Sequence, residues 1–235
     1  MLYLGNTKVV PIITVENPSV LREVDSNGVF QIPKSSNVDI VLPDSALSIG
    51  ERAFYFAFYK GTGLKSFNAN KVTTVTGSNA FNNAFYNCTS LQELNFPELT
   101  TLAGETSMAY CCQMCTSLTS IKFPKLKAIT TSTGQFNYAF YGCTKLESVS
   151  FESLDDVKMN TTFNYAFSSC SKLKNVYFYA LKSTSFGSST SQFSNMLQGI
   201  TGCTVHLPTS LSGYLGGRSF GGSSTSIVYD LPAVE

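Results

Sequence analysis

The 235 residues are 43% hydrophobic and only 13% charged, with a formal net charge of +1. Such a chain can bury a core, which excludes a disordered class that needs the opposite balance. The near-zero charge removes the electrostatic basis for nucleic-acid or anionic-membrane binding, and a single histidine cannot build a multi-His metal site.

Residues 1–36 read as an N-terminal β-rich cap. Val9 to Val15 is rich in strand formers, and Asp25-Ser26-Asn27-Gly28 is a hairpin-turn signal. Met1-Leu2-Tyr3-Leu4-Gly5-Asn6 has no basic region followed by an apolar one, so no signal peptide is visible: the chain is either not exported by that route or had a leader removed, and an intracellular or phage-associated location stays open beside the cell surface. No apolar run approaches the roughly eighteen residues of a membrane span.

From residue 37 to 208 the chain repeats itself. Cys88, Cys115, Cys143 and Cys170 recur at steps of 27, 28 and 27. After Cys88 come Leu91, Leu94, Phe96, Leu99 and Leu102. After Cys115 come Leu118, Ile121, Phe123, Leu126 and Ile129, and the same order follows Cys143. Leu94 and Phe96 sit two apart, which predicts a short strand with one buried face. Before each cysteine the spacing changes. Phe81, Ala84, Phe85 and Cys88 stand at i, i+3, i+4 and i+7, as do Phe54 to Gly61, Met108 to Cys115, Phe136 to Cys143, Phe163 to Cys170 and Phe193 to Ile200. That spacing predicts a short helix in each unit. One unit cannot bury both faces, and stacked neighbours can. The expected fold is therefore an α/β solenoid of about six coils of 27–30 residues, with short parallel strands on one face and short helices on the other. Residues 209–235, with the strand-like Ile227-Val228-Tyr229, read as a C-terminal cap.

At this point the chain resembles the BspA-like leucine-rich repeat family of surface proteins. The resemblance rests on Ile49-Gly50-Glu51-Arg52-Ala53-Phe54, on runs 84–91 and 139–146, and on the Phe-Pro-x-Leu runs 96–99 and 123–126. It implies a right-handed solenoid whose strand-lined face binds a partner, often in adhesion, at the cell surface or outside the cell, and it brings no catalytic residues. The opening Leu2 to Val9 also resembles the starts of tail-associated phage proteins. The alternative function is accordingly a structural component of a phage, prophage or cell-envelope assembly.

The columns that the repeat places outward on the strand layer are the candidate binding face. They comprise Gln92, Glu93, Asn95, Thr119, Lys122, Glu147, Ser148, Ser150, Lys174, Asn175, Tyr177 and His206. Their charge is sparse and mixed, and hydrogen-bonding groups dominate, with Tyr177 as an aromatic anchor. Such a face suits a protein or glycan and not DNA, which demands a basic stripe. The reading expects a non-enzymatic monomer with no cofactor, no metal and no catalytic residue. His206 is expected outward on the last strand, with nothing to orient it as a base. Cys111, Cys112 and Cys115 fall on core positions of the repeat and not in a metal cluster. The Gly-rich run 216–222 lacks the ending of a phosphate loop. The thiols are expected to be reduced, because neighbouring helices stand about 8–10 Å apart and a disulfide needs Cα atoms within about 7 Å.

Overall fold

Alternation of apolar and polar residues produces strands only a few residues long, and their length sets the architecture. The computed structural model describes residues 38–131, 134–157, 162–186, 192–214, 220–223 and 225–233. The expected cap over 1–36 lies outside the described residues, as does most of the Gly-rich run. The strands in chain order are β1 (Val38–Val41), β2 (Ser48–Ile49), β3 (Leu64–Asn68), β4 (Thr74–Val75), β5 (Glu93–Asn95) and β6 (Thr101–Leu102). They continue as β7 (Ser120–Lys122), β8 (Ala128–Ile129), β9 (Ser148–Phe151), β10 (Asn175–Phe178), β11 (Thr204–Pro208) and β12 (Ser226–Leu231).

The chain winds as a parallel-strand solenoid of about seven turns. Its front is two four-stranded parallel sheets, ordered β1-β3-β5-β7 and β9-β10-β11-β12. The two-residue strands β2, β4, β6 and β8 form a narrow side sheet. Register follows the repeat: Leu94 pairs with Phe67 and Ile121, and Val176 with Val149 and Val205. These inward residues are buried, as are Ile49, Val75, Leu102 and Ile129 on the side sheet.

Among the described residues the expected helices are absent from the other face. Each of the six segments is instead a string of turns that forms a third wall. Alternate amides behave differently. In the second unit Ala84 and Tyr86 donate back three residues, to Phe81 and Asn83, while Phe81, Asn83 and Phe85 donate to the carbonyls of Ser107, Ala109 and Cys111 in the next coil. An α-helix satisfies these groups internally and offers nothing to its neighbour. The backbone also enters the left-handed region at every fourth residue, at Asn79, Asn83 and Asn87 and again at Thr106, Tyr110 and Met114. A right-handed helix forbids that conformation.

The coil step explains why turns prevail. Paired strands lie about 4.7–4.9 Å apart, whereas packed helices need about 8–10 Å. In the turn wall Phe54 and Phe81 stack at 4.9 Å between ring centroids, Phe136 and Phe163 at 5.2 Å, and Phe140 and Phe167 at 5.4 Å. Front and back therefore rise together. The core between them is a set of phenylalanine columns. Phe163 alone contacts Phe136, Phe151, Phe178 and Phe193 at 5.2 to 5.6 Å. Each such aromatic pair contributes about 0.5–1.5 kcal/mol beyond the area it buries.

At the corner between side sheet and wall, glycines stack. A Cβ on Gly77 would collide with the Gly50 backbone, and one on Gly104 with the Gly77 carbonyl. Thr131 takes this position in the next coil, which is one residue longer. There Gln135 is buried and bonds the Gly104 carbonyl and the Thr131 hydroxyl, while Ser107 Oγ donates to its Oε1 at 2.7 Å.

All seven cysteines are free thiols and buried. The expected reason does not hold, because the wall has no helices to keep coils apart. A repeated hydrogen bond places the thiols instead. Cys88, Cys115, Cys143 and Cys170 direct Sγ to the carbonyls of Phe58, Phe85, Cys112 and Phe140, all one coil back, at 2.9 to 3.2 Å. Each carbonyl already accepts one amide of its own turn, so the thiol uses its second lone pair.

Candidate functional site

The front sheets turn every second side chain to solvent, and pairing aligns those side chains into columns. Asn68, Asn95 and Lys122 form one column, and Ser150, Tyr177 and His206 form another. Ser66, Glu93 and Ser120 lie beside the first, and Ser148, Asn175 and Thr204 beside the second. At the lower rim, the Gln92 carbonyl accepts the Thr119 and Ser120 amides, and the Lys174 amide reaches the Glu147 carbonyl at 2.9 Å. Eight of the twelve expected residues, Glu93, Asn95, Lys122, Ser148, Ser150, Asn175, Tyr177 and His206, thus share the outward face of the strands, while Gln92, Thr119, Glu147 and Lys174 lie at the rim just before them.

They do not form one unbroken array. Among the described residues β7 and β9 are not paired, so the ladder stops between Lys122 and Ser150. On the side sheet only the bridge from Ala128 to Asp156 spans the same two coils. Two polar groups result.

In the first group, Ser66 Oγ donates to Asp39 Oδ1 at 2.7 Å, Asn68 Nδ2 to Ser66 Oγ at 3.2 Å, and Asn95 Nδ2 to Asn68 Oδ1 at 3.3 Å. Lys122 Nζ pairs with Glu93 Oε1 at 2.8 Å, with both partners well exposed. An exposed pair of this kind is worth about 0.2–1 kcal/mol and tunes recognition more than stability.

In the second group, Tyr177 stacks on His206 at 4.3 Å with planes 17° apart, and Tyr179 lies 5.9 Å from Tyr177. His206 Nδ1 sits 2.8 Å from Asp230 Oδ2, and Nε2 sits 3.0 Å from Asn175 Oδ1. The His206 side chain is only 14% exposed. It is therefore neither free nor on the last strand, because β12 pairs beyond β11 and supplies Asp230. Both ring nitrogens have a polar partner, so the ring is held in place as a plate beneath Tyr177. The nitrogen remote from Asp230 meets an amide and not a hydroxyl or thiol, so the geometry is not that of an activated nucleophile. Asp39 and Asp230 were missed by the sequence reading. Asp230 falls two residues after Val228, the partner of His206, and alternation along Ile227-Val228-Tyr229-Asp230 carries that signal.

The chain belongs to the family described as BspA type leucine-rich repeat region, whose profile matches in six copies over residues 26–126 and 56–223. Members are generally not enzymes and typically bind proteins at surfaces. Among solved structures, the chain is similar to the T. pallidum leucine-rich repeat protein TpLRR, at 18% identity over 75% of this chain and 72% of that one, with a TM-score of 0.45. It is similar to a leucine-rich repeat protein from Bacteroides ovatus at 20% identity over 85% of this chain and 53% of that one, with a TM-score of 0.42. It is also similar to the pneumococcal vaccine antigen PcpA at 14% identity over 88% of this chain and 56% of that one, with a TM-score of 0.36. It thus spans about half the length of the last two. No curated protein is detectably similar in sequence.

Proposed function

We propose that the chain is a non-enzymatic, monomeric binding module that holds a protein or glycan against its strand-lined face, presented at the cell surface. The observation that supports this most is the second polar group. Tyr177 is presented on a stacked imidazole that Asp230 and Asn175 fix from both sides, so the ring pays little entropy on binding. Large aromatic side chains with few rotamers are the residues on which binding energy concentrates. Glu147 and Lys174 stand at the rim beside it, and Lys122 with Glu93 offers a second contact one group away. No helix among the described residues is long and apolar enough to cross a membrane.

The test is an array of extracellular-matrix proteins and glycans probed with the wild type and with a Tyr177→Ala, Lys174→Ala, Glu147→Ala triple variant. The variant should lose any partner that the wild type retains, with its melting temperature kept. A partner bound equally by both would place recognition elsewhere.

A further inference from the structure

The turn wall presents an uncharged outer surface across successive coils. Segments 79–90, 106–118, 134–144, 162–171 and 192–200 contain no Asp, Glu, Lys or Arg. The outward positions hold tyrosine and asparagine. Tyr110, Tyr138 and Tyr165 stack in one column at 5.4 and 4.6 Å, with planes 7° and 11° apart. Beside them Asn164 Nδ2 donates to Asn137 Oδ1 at 3.1 Å, and Asn137 Nδ2 reaches the Tyr110 hydroxyl at 3.5 Å. Tyr141 lies 5.8 Å from Tyr138. Partial burial first, and then the neighbouring phenols of Tyr165, Tyr110 and Tyr141, raise the Tyr138 pKa above its ordinary value.

We infer that this wall is a second binding surface, for an extended neutral polysaccharide of β-1,4-linked pyranose units lying along the solenoid axis. Three arguments select the ligand. Over five successive coils the outward tyrosine and asparagine positions carry no charge, and Glu105, Lys145 and Lys172 stand only at the segment ends, which favours a neutral ligand over nucleic acid and acidic or basic polymers. The wall offers hydroxyls and amides in a rigid Tyr–Asn surface, the combination that gives contact area and hydrogen bonds at low entropic cost. The groups also repeat at the coil step. A peptide strand advances about 3.3 Å per residue and about twice that between residues on one side, so its groups drift out of register with rings 4.6 to 5.4 Å apart. A pyranose ring in an extended β-1,4 chain advances by close to one coil and flips at each step, so like edges recur every second coil and stay in register with the Tyr110, Tyr138 and Tyr165 column.

The experiment is calorimetric titration of the intact chain with cellohexaose, which is neutral and extended, against maltohexaose, which coils, and oligogalacturonate, which is charged. Cellohexaose should bind, and the other two should bind at least about tenfold more weakly. A Tyr138→Phe, Tyr165→Phe double variant keeps the stacked rings and loses the hydroxyls. It should fold normally and bind cellohexaose about tenfold more weakly. The strand-face triple variant should bind it unchanged, which separates this surface from the one proposed above. Absence of cellohexaose binding would overturn the inference. So would equal affinity in the Phe variant, loss in the strand-face variant, or a wall-dependent dimer in place of glycan binding.

Discussion

Phe140 and Phe167 occupy the same position in successive coils, and their rings lie 5.4 Å apart with planes 8° from parallel. That spacing belongs to a ladder of extended backbone and not to packed helices, and it is found on the wall opposite the strands. The same step on both faces makes the molecule a stack of coils in which core positions repeat as columns. Corner glycines, left-handed turns and buried thiols are consequences of that stack, and each can be tested.

Gly77 marks where two coils touch backbone to backbone. A methyl group there overlaps the Gly50 carbonyl, and neither partner is a side chain that can swing away. Gly77→Ala should therefore cost about 3 kcal/mol or more, at the upper end for an overpacked site. Gly213→Ala meets no neighbour within 4 Å and serves as the control, although its φ of 83° carries a backbone cost of its own of about 1–2 kcal/mol. Urea unfolding of both variants checks the difference.

Asn83 sits at φ 56° in the turn wall. Asparagine tolerates this conformation and a β-branched side chain does not. Asn83→Val should destabilise the fold by about 1–2 kcal/mol, and Asn83→Gly should be close to neutral. In a helix the order would reverse, because glycine costs about 1 kcal/mol there and valine less. The rank of the two variants in thermal unfolding therefore reports the local conformation.

The thiols predict an alkaline limit. Burial pushes Cys88, Cys112 and Cys143 well above the ordinary 9.0, with neighbouring thiols adding to the shift. Cys203 is pushed up to about 11, by burial first and Cys170 second, against an opposing effect of Lys174. Above the ordinary value the unfolded chain releases these protons while the folded chain keeps them. Stability is thus whole below that value and falls as pH rises through it, for Cys203 until about 11. Each thiol contributes at most about 1.4 kcal/mol per pH unit. Under reducing conditions the urea midpoint should drop from neutral pH to about pH 10. Cys143→Ala should drop less steeply. A midpoint that does not change with pH would contradict the burial.

Much of this was legible in the residues. The recurring cysteines and the Leu-x-x-Leu-x-Phe pattern gave coil length, strand positions and the register of Asn95, Lys122, Tyr177 and His206. The turn wall was misread because a period of four and a period of 3.6 place apolar residues at the same i, i+3, i+4 and i+7. The distinguishing sign was present in Asn79, Asn83 and Asn87 and in Gly142 and Gly199, residues that favour positive φ at four-residue intervals. It was masked where Tyr110, Tyr138 and Tyr165 fill the same column. Asp230 was missed because it belongs to the closing strand, outside the repeat. The break between β7 and β9 has no visible sign beyond the extra residue in that coil.

The claim that both walls rise as hydrogen-bonded ladders is tested most directly by far-ultraviolet circular dichroism of the purified chain. A spectrum dominated by strand and turn, without the double minimum of α-helix, is predicted. A pronounced helical double minimum would contradict it, because six wall segments would then be helices and the common coil step of front and back would be lost.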